Sequence, residues 1–298
     1  MATLKEVQSK IVSVKKTKQI TSAMKMVATS RLRGAQTSME AFQPYAGKFA
    51  EVLGSIAGSA GEDASPLLVP REDVKKVAII VCTSDRGLCG GFNVNLTSKA
   101  EKIIKSDLEG KDVSFTCFGK KARDWAKKQP QPIDDEFIGV VGGDVEFSIA
   151  SSSGQKLINS FLEGTVDEVY LIYSKFITMA RQDATIKQIL PIPSLEDVLG
   201  ESVEEETDSD TLVEHLCEPS SDALLGEMLP KNIFIQIYDA LLQTSTSEHA
   251  ARMRAMDNAT KACEDMVDEL QTIFNKTRQA AITADLMDIV GGAEALKG

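Results

Sequence analysis

"KVAIIVCTSDRGLCGGFNVNL", residues 76–96, sets an apolar run against a glycine-rich turn and then a helix-like segment. Lys76–Thr83 holds six apolar residues in a row, which suits a strand buried on both faces of a parallel sheet. Residues 92–106 bring apolar side chains back at helical spacing. The turn between them is the place where a phosphate would be cradled, so its chemistry decides what kind of α/β protein this is. A Walker loop needs G-x-x-x-x-G-K-[ST], in which a lysine reaches the terminal phosphates and a hydroxyl reaches magnesium. Gly87, Gly90 and Gly91 are followed by Phe92 and Asn93, and the lysine is missing. The dinucleotide spacing G-x-G-x-x-G is missing too. The turn therefore reads as structural, with Asp85 and Arg86 expected to hold it by hydrogen bonds, and no cofactor is assigned to it.

Outward from this turn, strand-like runs lie at 74–83, 112–119, 167–176 and 184–193, with helix-like runs at 92–106, 120–128 and 145–162. This alternation predicts a Rossmann-like α/β domain with a largely parallel sheet over 70–195. Gly, Ser and Pro crowd 58–70 on one side. On the other side lies the acidic stretch 196–214, which has no Lys or Arg.

The two ends have a different period. In a heptad frame from Leu4 through Ile56, thirteen of sixteen a/d positions are apolar. The three exceptions, Lys18, Thr21 and Lys25, are consecutive. Apolar Ile20, Met24 and Val27 beside them suggest a local stutter. Pro44 marks a site for a bend. A helix over 3–57 is about 80 Å long. At the other end Phe234, Tyr238 and Leu241 lead into the polar "TSTSEHAARMR" (244–254), and the frame resumes at Ala255, Ala259, Cys263, Met266, Leu270 and Ile273. Thr277, Ala280 and Ala284 extend it. Pro230 signals a helix start or kink, Ser221-Asp222 a cap, and Gly291-Gly292 a terminus. The expected organisation is an N-terminal coiled-coil helix (1–58), the α/β domain (70–195), an acidic loop and foot segment (196–220) and a C-terminal helix (221–290). The two end helices pair antiparallel.

Charge and composition narrow the function. The net charge is −11, yet residues 1–34 carry eight Lys or Arg against one Glu. Nucleic-acid binding by that basic helix is one reading, a non-rotary coiled-coil scaffold another, and an acidic protein partner a third. The five cysteines are scattered without C-x-x-C spacing and read as reduced thiols. With two histidines and no H-E-x-x-H or G-x-S-x-G, no zinc or hydrolytic centre is expected, so catalytic and metal residues are none. No run reaches the length of a membrane span, and the N-terminus opens directly into an amphipathic pattern with no secretory signal.

Several blocks in register resemble one family. "VQSKIVSVKKTKQIT" (7–21), "ITSAMKMVATSRLR" (20–33), "TSDRGLCGGFNVNL" (83–96), "YSKFITMARQ" (173–182) with "ILPIP" (189–193), and "NKTRQAAIT" (275–283) are together similar to the gamma subunit of F-type, proton-translocating ATP synthase. The resemblance implies a central rotor shaft that couples proton-driven rotation to ATP synthesis. The nucleotide sites would lie on partner subunits and not on this chain. It implies three alpha and three beta subunits around one such chain, with epsilon and the c-subunit ring at its foot. The membrane would be reached only through partners and nucleic acid not at all. Residue by residue, it places Met24, Lys25 and Arg252 near acidic beta loops and Arg278, Gln279 and Thr283 at an upper beta contact. Leu216, Cys217 and Glu218 fall at the foot facing epsilon and the c ring. Near the C-terminus the family's glutamates give way to Ala284, Asp285 and Asp288, which implies adjusted contacts. The cysteine pair of plastid members is missing from 196–220. The implied location is the cytoplasmic face of a bacterial inner membrane, with the matrix side of the mitochondrial inner membrane as the alternative.

Overall fold

A computed structural model describes residues 3–57, 65–71, 73–192 and 221–295. Among the described residues the elements are, in order, α1 (Leu4–Ala57), β1 (Lys76–Cys82), α2 (Phe92–Ser106), β2 (Asp112–Phe118), α3 (Lys120–Ala126), β3 (Ile133–Phe137), α4 (Phe147–Leu162), β4 (Glu168–Phe176), β5 (Gln182–Leu190) and α5 (Ser221–Ala295). Contacts divide the chain into two units, one of residues 1–29 with 252–298 and one of residues 30–251.

The larger unit is a doubly wound α/β structure. Its sheet runs β3-β2-β1-β4-β5, with β3, β2, β1 and β4 mutually parallel and β5 antiparallel on the edge. β1 is central because its run from Val77 to Cys82 is buried on both sides. On one face Val77, Ile79, Val81, Phe115 and Cys117 pack with α2 and α3 residues such as Leu96, Ala100 and Ala122. On the other face Ala78, Ile80, Cys82 and Leu171 pack with α4, with the end of α1 (Leu53, Ile56) and with α5 from Leu225 to Leu241. Gly154 in α4 admits α5 closely, since a Cβ there would lie 2.5 Å from the Phe234 ring.

The strand β3, "IDDEF", is absent from the sequence expectation. Its three acidic residues are consecutive, but burial alternates along the strand, with Asp134 and Glu136 exposed, as suits a short edge strand whose charges block further pairing. Asp167 ties the entry of β1 to that of β4. Its Oδ1 accepts from Arg71 Nη1 at 2.8 Å, and its Oδ2 accepts from the Lys75 and Lys76 amides at 2.9 and 2.8 Å.

The smaller unit is an antiparallel pair of helices. Val7 and Ile11 pack with Leu270 and Phe274. Further along, Lys18 meets Glu264 at 2.8 Å, Thr21 meets Thr260 at 2.9 Å and Lys25 meets Asp257 at 2.6 Å. The seven residues from Lys18 to Lys25 on α1 are matched by seven back from Glu264 to Asp257 on α5.

This register overturns the stutter. Lys18, Thr21 and Lys25 stay in the seam, while Ile20 and Val27 are 60% and 62% exposed. Polar residues hold a/d positions here because each finds a polar partner across the interface, which offsets their desolvation. On α5 the seam runs through Met256, Thr260, Cys263, Val267, Leu270, Phe274 and Thr277, not through Met266 and Ile273, which are exposed.

Of the helix signals, only the terminus at Gly291-Gly292 came out differently. α5 begins at Ser221 and continues through Pro230, and α1 continues through Pro44. Each proline frees the carbonyl four residues earlier. Those carbonyls belong to Gly226 and Glu40, both exposed, so water can take the bond. Gly291 and Gly292 do not end α5, which reaches Ala295, because glycine weakens a helix without forbidding it.

Candidate functional site

Three regions carry the residues singled out by sequence: the glycine turn, the crevice above it, and the helical pair.

The turn after β1 is built by Ser84 and Asn93. Asn93 Oδ1 accepts from the Ser84 amide at 3.0 Å, and its amide nitrogen donates to Cys89 Sγ at 3.2 Å. Ser84 Oγ donates to the Arg86 carbonyl at 2.6 Å. Leu88 and Gly90 have φ of 65° and 62°, so the left-handed step demanded of Gly90 is real, while Gly87 is not in that region. Gly91 precedes α2 without a side-chain cap. Asp85 does not close the turn on itself as expected. Its Oδ1 accepts from the Lys120 amide at 2.9 Å and the Gly139 amide at 3.1 Å, tying the turn to the ends of β2 and β3.

In doubly wound sheets, ligands bind outside the carboxyl ends of the strands where the winding reverses. Here that point lies between β1 and β4. The register Val81↔Ile172 sets Ser174 level with Thr83. The position is taken by α5. Its polar run Thr244–His249 is buried throughout. Thr244 Oγ1 accepts from the Ser174 amide at 3.3 Å, and Ser247 Oγ donates to the Ser174 carbonyl at 3.2 Å. Asp85 Oδ2 and Glu248 Oε2 both lie within 3.9 Å of where a Cβ on Gly142 would stand. The helix passes over the strand ends: residues up to Leu241 pack on one face of the sheet, and Ala251 packs with the cluster on the other.

Sequence reasoning missed this seat. The signal was the break in the apolar frame at "TSTSEH". Such a break also suits a contact with another chain, but Thr244–His249 face the chain's own sheet. A helical run of Ser and Thr between two apolar runs fits a buried, hydrogen-bonded crossing as well as an exposed one.

In the helical pair, Lys25 is not a free cation. Asp257 receives it and, at 2.9 Å, Lys261 as well. Hydrogen bonds from Lys25 and then Lys261 hold the Asp257 carboxyl below the usual carboxylate range. Met24 and Arg252 are half-buried in this unit, and Arg278, Gln279 and Thr283 are exposed. Thr283 Oγ1 donates to the Gln279 carbonyl at 2.9 Å. Beyond Thr277 every described side chain of α5 is exposed, including Ile282, Leu286, Met287, Ile289 and Val290. Leu216, Cys217 and Glu218 lie outside the described residues.

Among the described residues no group of three or more His, Cys, Asp or Glu could hold a metal, and no helix is long and apolar enough to cross a membrane. Cys82, Cys89 and Cys117 are buried thiols outside any disulfide, and burial pushes the Cys82 and Cys117 thiols well up.

Fold and site define an α/β protein carried on two long helices, with the usual ligand crevice filled by one of them. The ATP synthase family model matches residues 3–296. The "ATP synthase gamma chain" of Desulforapulum autotrophicum is 74% identical over 301 residues, spanning 99% of this chain and all of the relative. That of Desulfosudis oleivorans is 61% identical over the full length of both. Among solved structures, a chain of the Euglena gracilis mitochondrial ATP synthase rotor superposes with a TM-score of 0.65 over 94% of this chain and 98% of its own, at 19% identity. A chain of the Tetrahymena thermophila central stalk and c ring gives 0.56 over 80% and 99%, at 23%. These structures share the fold, and the sequence relatives fix the family. The chain belongs to the ATP synthase gamma chain family.

Proposed function

We infer that this chain is the central rotor shaft of an F-type ATP synthase, coupling proton-driven rotation to ATP synthesis. End-to-end identity of 74% to a protein named as the gamma chain carries the reading. The apolar residues exposed around the tip of α5 support it, because a helix with Ile282, Leu286, Met287, Ile289 and Val290 in water needs a surrounding partner. In this reading the chain has no catalysis of its own. Three alpha and three beta subunits surround the helical pair, and epsilon and the c ring meet the foot. The asymmetric shaft contacts each beta subunit differently and so stabilises a different nucleotide-binding conformation in each.

Met24 and Arg252 then face beta directly. Lys25 acts together with Asp257, and Arg278, Gln279 and Thr283 form the upper contact. Leu216, Cys217 and Glu218 belong to the foot. The divisions 1–58, 70–195, 196–220 and 221–290 correspond to shaft, domain, foot and shaft. The complex sits on the cytoplasmic face of a bacterial membrane and is held there by its partners.

The test is reconstitution with cognate subunits in proton-tight vesicles. ATP-driven acidification that requires this chain supports the reading, and hydrolysis and pumping indifferent to its presence overturn it. The scaffold and nucleic-acid readings have no support from the relatives, and Lys18 and Lys25 are already engaged in ion pairs.

A further inference from the structure

The α/β domain keeps the topology of a ligand-binding fold, yet its own helix occupies the ligand's place. Apolar contacts from Leu225 to Leu241 hold α5 to one face of the sheet. Such contacts are non-directional and tolerate small rotations of a helix about its axis. The contacts at the crossing are of another kind. Ser174 offers both its amide and its carbonyl, and Thr244 and Ser247 take one each, at 3.3 and 3.2 Å. A hydrogen bond weakens steeply off its angle, so two of them one helical turn apart on one strand residue fix the azimuth of the helix. Burying Ser and Thr is costly when apolar residues would fill the same space. Their presence here marks a need for specificity of position.

We propose that Thr244 and Ser247, received by the amide and carbonyl of Ser174, form a latch that locks the α/β domain rotationally to α5. Torque delivered at the domain then reaches the helix without slip. These are positioning residues, and the mechanical half of the proposal rests on the rotor reading.

The experiment uses the double substitution T244V/S247A in the full-length chain, with T244S as the conservative variant. Hydrogen exchange is read on the purified chain, and pumping per ATP hydrolysed is read in the reconstituted complex. Loss of the acceptor at the Ser174 amide speeds its exchange about tenfold or more. Pumping per ATP is lost while hydrolysis persists, and T244S matches the wild type in both. Unchanged exchange at Ser174 overturns the latch. Faster exchange with wild-type pumping per ATP overturns its mechanical role. If the double variant does not fold, T244V alone, which removes the acceptor of the Ser174 amide, is scored by the same two readouts. A wild-type chain that supports no pumping sinks the rotor reading and the torque claim with it, and that failure shows before any variant is made.

Discussion

Replacing Asp167 by Ala attacks the bond network that starts β1. The Asp167 side chain is nearly buried, and the residue is 7% exposed. It receives Arg71 Nη1 and two backbone amides, all within 2.9 Å. Removing the carboxylate deprives a guanidinium of its ion-pair partner and leaves the Lys75 and Lys76 amides without their acceptor. A charged hydrogen bond contributes about 1.5–3 kcal/mol and an orphaned buried amide costs about 1–3. Allowing for water reaching the rim, a loss of about 3–5 kcal/mol is expected, as for other broken buried pairs. For a unit of this size that lowers Tm by roughly 6–20 °C.

Desolvation opposes ionisation of Asp167, but the Lys76 and Lys75 amides and Arg71 outweigh it, so its pKa lies below the ordinary value. Stability from a depressed carboxylate is fully present above the unfolded value of about 3.9 and is lost as pH falls through the folded value. The gap between wild type and D167A is therefore constant from pH 7 down to about 4 and narrows below. Trp125, the only tryptophan, packs edge-on against Phe115 at 5.1 Å, so its fluorescence reports unfolding of this domain. Urea melts of both proteins across that pH range give the answer. A D167A variant within about 1 kcal/mol of wild type at pH 7, well under the expected loss, or a gap that widens on acidification refutes the reasoning.

Three further outcomes follow from the same geometry. In a Cys263→Ser background, Thr21→Cys with Thr260→Cys should form a disulfide on mild oxidation, because the native hydroxyls are 2.9 Å apart. A pair at Val27 and Met266 should stay reduced, since both face solvent, and gel mobility distinguishes the two. Gly119→Ala should abolish soluble expression, with φ of 96° and a Cβ that would stand 2.2 Å from the Thr83 carbonyl oxygen, whereas Gly87→Ala, with open space around it, should melt within a degree or two of wild type. Met24→Lys adds a cation beside the Lys25–Asp257–Lys261 cluster and should lower pumping per ATP while sparing hydrolysis, and vesicle acidification against phosphate release checks it.

Period and burial made most of the architecture legible. β1 shows its central place in an unbroken apolar run, and α1 shows its seam in thirteen apolar heptad positions. Where polar residues do structural work, pattern alone misleads. Lys18, Thr21 and Lys25 looked like a break because their partners Glu264, Thr260 and Asp257 are more than 200 residues away in sequence. β3 was hidden because an edge strand need bury only one face. The seat of the run 244–249 is not legible because Ser and Thr inside a helix do not declare whether they meet water or a strand's backbone. The missing lysine sets the glycine turn apart from a Walker loop. Its true anchors, Ser84 and Asn93, became visible only with the turn's hydrogen bonds.

Rotation is the most direct test of the central claim. A cysteine placed at Met179, exposed on the β4–β5 hairpin, would carry a bead, in a complex of this chain with cognate alpha and beta subunits fixed to a surface through beta. The account predicts stepwise, unidirectional rotation of the bead that requires ATP and stops when the shaft is cross-linked to beta. ATP hydrolysis with a motionless bead, or hydrolysis undiminished by that cross-link, would contradict it.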